Sequence, residues 1–337
     1  MHTGATYLRY LGKLLQALGA HASWAADETV QVLDTLPTRP LSEQCSALAE
    51  VFARIAELPQ ARDFGFVVGR AIPITAFGPP TLGLAVAPTA REALKLVADS
   101  SWLELPLLRY EFEPQTSGAA YFAIRFRCAI DHGAEALLTS AVVTAVQKEL
   151  QTITRCRAVI TRVELTSASQ AYAPMYESRL GLPVQLGAPF NRVLIPREVL
   201  DAHNPHADIE TYEEMVRNCA AALKEARNAL SVKERVLEQL AANIAAPPSI
   251  AELAAQLRLS PRQLRFALGK EGVSYRELVR RARIEQAETL LRDARLPVAH
   301  VAERLGYADV AAFTHSFRRW TGKAPSQLRE PRSGTRS

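Results

Sequence analysis

Paired cysteines are missing from this sequence. Its four cysteines, Cys45, Cys128, Cys156 and Cys219, are scattered, with no Cys-x-x-Cys step and no histidine at metal-ligand spacing. That pattern excludes a disulfide scaffold and a thiolate metal site, and it fits free thiols in a reducing cytoplasm. The start, Met-His-Thr-Gly-Ala-Thr-Tyr, lacks a basic stretch followed by an apolar core, so no secretory leader is expected. An unbroken membrane-spanning run is absent too. The uncharged stretch Ala71–Ala90 has the length, but Pro73, Pro79, Pro80, Pro88, Gly78 and Gly83 interrupt it. Such residues break a spanning helix, so the stretch is expected to be a loop or turn region of a soluble domain.

Enzyme signatures are equally scarce. There is no Gly-x-Ser-x-Gly elbow, no Gly-x-x-x-x-Gly-Lys phosphate loop and no dinucleotide fingerprint. The nearest approach to a metal motif is His203-Asn-Pro-His206 with Asp201 and Asp208. Pro205 keeps the two histidines off a regular helix face, so the segment reads as a loop. No catalytic residue, metal ligand or cofactor is assigned.

What is present is a globular composition, with 48% hydrophobic and 22% charged residues in 337. That length suggests two domains. The charge is unevenly divided: residues 231–337 hold 19 Lys and Arg against 11 Asp and Glu, and the preceding part holds 21 against 24. A basic, arginine-rich end attached to a slightly acidic body suits a polyanion-binding module, because guanidinium groups pair bidentately with phosphate and guanine.

Apolar periodicity predicts helices over 6–20, 42–57 and, behind Thr89 as N-cap, to about Ala98. Residues 121–130 then alternate, with Phe122, Ile124, Phe126, Cys128 and Ile130 expected in a core and the opposite face in polar surroundings. Leu107–Phe112 would pair with that strand as a hairpin. A long helix after Asp131 leads to a strand over 159–165, and a further short strand is expected at 192–195. The body is therefore α+β. From Tyr212, an apolar stripe through Met215, Val216, Cys219, Ala222, Leu223, Ala226 and Leu230 predicts a helix. This stripe is either a dimerisation seam or a face packed on its own domain.

The C-terminal part is wholly helical. Ser249 and Ser260 read as N-caps of two short helices, with Glu252 completing a capping box and Pro261 at a first helical position. Ile250, Leu253, Ala254, Leu257, Leu264 and Leu268 form the seam between them, leaving Arg262, Gln263 and Arg265 outward. The same grammar recurs 48 residues later, with Ala302 and Gly306 in the places of Ala254 and Arg258. There Asp309 caps a helix whose Phe313, Phe317 and Trp320 face inward. A helix from Ser274 to about Arg292 links the two units. Its roughly 18 residues, at 1.5 Å each, span about 27 Å, close to the ~34 Å of one duplex turn. Two such helices can enter adjacent major grooves on one side of DNA.

The segment Ala308-Asp-Val-Ala-Ala-Phe-Thr-His-Ser-Phe-Arg-Arg-Trp-Thr-Gly-Lys-Ala-Pro-Ser-Gln-Leu-Arg resembles the signature of AraC/XylS-type transcription regulators, and 231–330 is similar to their DNA-binding domain throughout. In the body, Phe64-Gly-Phe-Val-Val-Gly, Phe77-Gly-Pro-Pro-Thr-Leu-Gly, Pro88-Thr-Ala-Arg-Glu-Ala-Leu and Leu186-Gly-Ala-Pro-Phe-Asn resemble the arabinose-binding-type sensor domain. The resemblance implies a cytoplasmic bacterial regulator, often dimeric. Its implied partners are double-stranded DNA, a small-molecule effector, RNA polymerase and a second copy of the chain, with no membrane.

The expected architecture is multidomain. An α+β sensing domain over 1–211 and a helical linker over 212–230 precede an all-α double helix-turn-helix domain over 231–330, whose two units are joined by the long helix. A disordered tail follows over 331–337. Base contacts carried over by position fall on Arg262, Arg265 and Phe266, and on Ala311, Ala312, Thr314 and His315. Phosphate contacts fall on Gln263, Arg318, Arg319 and Lys323.

The family often carries arginine where Phe266 and His315 stand, so guanine readout rests on Arg262 and Arg265, and Val310-Ala311-Ala312 offers methyl contacts. Two alternatives stay open. One is an architectural DNA-binding protein without ligand input. The other is a DNA-repair alkyl-transfer enzyme fused to this module, which would need an activated cysteine that none of the four resembles. Sequence names no residue of an effector pocket.

Overall fold

The computed structural model describes residues 41–58, 61–74, 76, 78–103, 105–128, 130–167, 173–188, 190–242, 244–292 and 297–328. The helix expected over 6–20 and the tail over 331–337 lie outside them. The chain divides after Asn228 into two units.

The described part of the first unit opens with α1 (Leu41–Ala56), α2 (Ala61–Ala71), α3 (Pro79–Val86) and α4 (Ala90–Asp99). Thr89 caps α4, its side chain accepting from the Glu92 amide, as the sequence predicts. Helix α3 corrects the expectation for 71–90. Its two prolines occupy the first turn, where a missing N–H removes no helical hydrogen bond, so a segment rich in helix breakers still contains a helix.

Strands β1 (Leu108–Pro114) and β2 (Ala120–Phe126) form the predicted hairpin, and α5 (His132–Thr154) follows behind its Asp131 cap. Then come β3 (Arg162–Glu164), α6 (Ala173–Leu180), β4 (Val184–Gln185), β5 (Asn191–Ile195) and α7 (Arg197–Leu200). The sheet is mixed, in the order β1-β2-β5-β3-β4, with only the β3–β4 pair parallel. The strand expected over 159–165 is shorter than its alternation. Val159 and Ile160 are buried but precede β3.

Strand β2 departs from the expected one-sided burial, because Tyr121 and Ala123 are as enclosed as Phe122 and Ile124, and it ends at Phe126. The cause is a ladder of ion pairs on the outer face. Arg109 pairs with Glu111 at 3.3 Å, and Arg125 bridges Glu111 and Glu113 at 3.0 and 3.2 Å. Arg192 reaches Glu113 at 3.4 Å and Glu164 at 2.7 Å, with its guanidinium 3.7 Å from the Tyr121 ring centre. Arg125 lies likewise over Phe190. These planar cations roof the face that alternation alone would leave wet.

Glu164, 3% exposed, anchors the ladder by accepting from Tyr121 at 2.9 Å, Arg162 at 2.9 Å and Arg192. Burial alone would raise its carboxyl pKa, but the hydrogen bonds from Arg192 and Tyr121 and the charges of Arg192 and Arg162 outweigh it and hold the group below its ordinary range. The stabilisation is therefore complete above the ordinary glutamate range of about 4.3 and disappears as pH falls through the depressed folded value. Glu164→Gln should cost about 2–3 kcal/mol at neutral pH. Urea unfolding across pH should show the variant and parent curves converging in acid, and a constant gap would refute this assignment.

Helices α2 and α5 approach closely enough to explain the Phe64-Gly-Phe-Val-Val-Gly motif. A Cβ on Gly65 would stand 2.3 Å from the Leu137 carbonyl oxygen, and one on Gly69 2.2 Å from that of Ala141. The motif glycines therefore let two backbones meet.

Helix α8 (Ile209–Ala229) closes the first unit. Its Tyr212 hydroxyl donates to the Glu92 carbonyl at 3.3 Å, Met215 packs at Gly83 and Cys219 is buried. The first part of the stripe thus packs on its own unit, while Val216 stays exposed.

The second unit holds α9 (Val232–Ala242), α10 (Ile250–Gln256), α11 (Pro261–Lys270), α12 (Tyr275–Arg292), α13 (Val298–Arg304) and α14 (Val310–Thr321). It has two separate cores. Val236, Leu240, Leu253, Leu264, Leu268 and Leu278 make the first; Ala287, Leu290, Leu291, Val301, Leu305, Phe313 and Phe317 make the second. Helix α12 gives Leu278 to one and Ala287, Leu290 and Leu291 to the other, so a single rod of 18 residues belongs to both.

Candidate nucleic-acid interface

Local sequence fixes the first helix pair. Ser249 and Glu252 form a reciprocal capping box at α10, and Ser260 and Gln263 form a second at α11, where Pro261 takes the first turn. Each cap contributes about 1 kcal/mol and sets where its helix begins. Sequence reasoning found the first box and missed the second, although the Ser-x-x-Gln spacing was the signal for it. Apolar residues at three- and four-residue steps then turn Leu253, Ala254, Leu264 and Leu268 into the seam. Arg262, Gln263, Arg265 and Phe266 are left exposed on α11.

The turns between the paired helices repeat. Leu259 N–H donates to the Ala254 carbonyl at 2.8 Å, and Arg258 N–H to that of Ala255 at 3.0 Å. In the second pair, Tyr307 donates to Ala302 at 3.0 Å and Gly306 to Glu303 at 2.9 Å. Both turns need a left-handed residue: φ is 57° at Arg258 and 73° at Gly306. Glycine is demanded only at the second, where a Cβ would lie 1.8 Å from the Ala245 carbonyl oxygen.

Asp309 caps α14, accepting from the Ala312 amide at 2.7 Å. Phe313 and Phe317 are buried as expected, whereas Trp320 is only half-buried. Its inward placement is thus partial, near the C-terminal end of the helix. Ala311, Ala312, His315, Arg318 and Arg319 are exposed, as is Lys323 beyond the helix, and Thr314 is half-buried. On α14 the residues 311, 314, 315 and 318 share one face; on α11 the residues 262, 265 and 266 do.

Phe266 is 66% exposed, with the Lys270 ammonium 4.9 Å from its ring centre. A bare phenyl ring on the outward face contributes nothing to the core. Gln263 commits its side-chain oxygen to the Ser260 amide at 2.8 Å, which leaves its NH2 as a donor. No hydrogen bond or ion pair ties the side chains of Arg262, Arg265, Arg318 or Arg319 to another described residue. Some arginines elsewhere in the unit are engaged: Arg235 donates to the Leu257 carbonyl at 3.2 Å, Arg281 pairs with Glu277 at 3.0 Å, and Arg283 lies 5.2 Å from the Tyr307 ring centre. The two second helices of the pairs thus present unspent guanidinium groups on exposed faces, which is the chemistry of phosphate and guanine recognition.

The His203–His206 loop is organised around buried Asn204, which donates to the carbonyls of Ala85 and Ala87 at 2.8 and 2.9 Å. Asp201 pairs with Arg91 and Arg197, and Asp208 accepts from the Thr211 amide. Among the described residues no helix is long and apolar enough to cross a membrane.

Residues 253–331 match a family described as a helix-turn-helix domain, and residues 40–204 match one described as the arabinose-binding domain of AraC transcription regulator, N-terminal. The chain carries the two domains of an AraC-type transcription regulator. An uncharacterized HTH-type transcriptional regulator of Mycobacterium tuberculosis is 34% identical over 164 residues, 49% of this chain and 48% of that protein. The ornithine utilization regulator of Pseudomonas aeruginosa is 29% identical over 169 residues, 50% of each. The chain thus spans about half the length of the curated relatives it matches. The crystal structure of the transcriptional regulator CdpR from Pseudomonas aeruginosa aligns over 84% of this chain and 91% of that one, at 25% identity and a TM-score of 0.44.

Apolar strands able to enclose a modest cavity are expected in the first unit, but sequence names no residue of the apolar cavity found there, lined by residues of α3, α4, α5, β1 and β2. The signal was faint: Glu149 beside the apolar stripe Val142, Val146 and Leu150.

Proposed function

We propose that this chain is a sequence-specific transcription regulator that reads two adjacent major grooves, inserting α11 into one and α14 into the next. Its N-terminal domain holds a small molecule that sets the DNA-binding state. In this reading sensing occupies 1–211, the helix over 212–230 transmits it or pairs with a second copy, and DNA is read by 231–330. The protein acts in the cytoplasm, together with RNA polymerase, and carries no catalytic step.

The observation that supports this best is the sharing of α12 by two separate cores. Each helix pair is a self-contained unit with its own capped, outward helix, and a rod of 18 residues, about 27 Å long, holds the two apart. Arg262 and Arg265 are the base readers. Gln263, Arg318, Arg319 and Lys323 grip phosphate. Phe266, Ala311, Ala312 and Thr314 offer apolar contact to thymine methyl groups, and His315 a single polar contact. A ligand can act only through a difference in its affinity for the competent and incompetent states.

The test is selection of genomic fragments with the full-length protein at physiological salt, followed by a salt titration on the enriched site. The expected result is a defined site whose log affinity falls linearly with log salt, with a slope of about 0.9 per phosphate contact. Equal affinity for all fragments would favour the architectural reading.

A further inference from the structure

The inner face of the sheet does not close completely on its helices. A cavity with about 700 Å3 of free space, counting the solvent at its open mouth, lies there. Leu84 of α3, Val97 of α4, Phe122 of β2 and Val146 of α5 give it mostly hydrocarbon walls, and Thr81 and Tyr110 are the hydroxyl-bearing residues among them. Such walls hold too few polar groups for the several hydroxyls of a sugar, and each hydroxyl buried without a partner opposes binding.

One acidic group stands in the lining, Glu149. The Lys148 ammonium meets its carboxylate at 3.0 Å. The same ammonium donates to the Ile72 carbonyl, and to that of Arg70 at 3.4 Å, so it is held at the rim by acceptors of the fold. A carboxylate can accept about four hydrogen bonds, and among the described residues Lys148 is the partner seen for this one. Burial pushes the Glu149 carboxyl up from its usual range, against the opposing hydrogen bond and charge of Lys148. A ligand donor placed there would relieve that desolvation, and a second anion would worsen it.

We propose that this cavity is the effector site and takes a small, mostly apolar molecule whose one polar group is a hydrogen-bond donor, an amine or hydroxyl, seated on Glu149. The inference rests on the reading that a small molecule acts through this domain, and it excludes polyol sugars and carboxylates as its best ligands. Helix α3 gives the occupied site a route outward. It presents Leu84 to the cavity, while on Gly83 a side chain would begin 3.1 Å from the Cβ of Met215 in α8. Displacing α3 therefore bears directly on the helix by which the chain leaves the first unit.

The test titrates the full-length protein calorimetrically at neutral pH with hexylamine, hexanol, hexanoate and L-arabinose. Hexylamine and hexanol should bind, hexanoate about tenfold more weakly or worse, and arabinose not at all. Glu149→Gln should weaken hexylamine about tenfold and bring hexanoate close to hexanol. Ala145→Phe, which fills the cavity from α5, should abolish all binding. Should that variant fail to fold, Glu149→Gln still decides. Tightest binding of hexanoate or arabinose, or an unchanged ranking in Glu149→Gln, would overturn the proposal. A parallel DNA titration keeps the two claims apart. Probe binding as described with unaltered DNA affinity overturns the effector role, and intact sequence-specific DNA binding with no probe bound overturns the cavity alone.

Discussion

Replacing Arg265 by alanine is expected to flatten the sequence preference of the protein at one base pair. The same is expected of Arg262 at a neighbouring one. Each guanidinium stands exposed on α11 without a described partner, so neither substitution disturbs a core. A bidentate contact to guanine carries about 1–3 kcal/mol of discrimination, roughly 5- to 150-fold in relative affinity. Competition binding against every single-base variant of the site measures this. Arg318→Ala, Arg319→Ala and Lys323→Ala should instead weaken all sequences alike and lower the salt slope by about 1 each. If Arg265→Ala shows that uniform behaviour, Arg265 grips phosphate and the base-reading assignment is wrong.

Gly306→Val is expected to have the largest effect on stability. The residue sits at φ 73°, and its Cβ would lie 1.8 Å from the Ala245 carbonyl oxygen, a backbone atom that cannot swing aside as a side chain does. Left-handed backbone costs a side-chain-bearing residue about 1–2 kcal/mol and overpacking a further 1–3, so a loss of about 3 kcal/mol or more is predicted from urea unfolding. The built-in control is Arg258, which occupies the matching turn at φ 57°. Arg258→Ala keeps the same backbone demand and should stay within about 0.5 kcal/mol of the parent. A loss in Gly306→Val no larger than the roughly 1–2 kcal/mol of a left-handed residue with a side chain would show that turn geometry alone, and not the contact with Ala245, makes Gly306 necessary.

The C-terminal helices were legible because their signals are local. Ser249, Ser260 and Asp309 begin helices by capping their own first turns, and the apolar steps that follow need no distant partner to be recognised. The first unit was legible where the same held, as at Thr89 and Asp131. Signals carried by long-range contacts were not. Pro79 and Pro80 read as breakers, because nothing nearby says that they fall in the first turn of a helix. Tyr121 and Ala123 read as the wet face of β2, because the arginines that cover them arrive from β3 and β5, forty and seventy residues later. The cavity is the extreme case. Its walls come from five elements, and no single segment carries its outline.

The central claim is that α11 and α14 enter successive grooves on one side of the duplex. Hydroxyl-radical footprinting of the full-length protein on its enriched site tests it most directly. Two protected patches per bound chain are expected on the same face, one helical turn or about 34 Å apart, with the second weakened in Gly306→Val and the first kept. A single patch, or two on opposite faces, would contradict it.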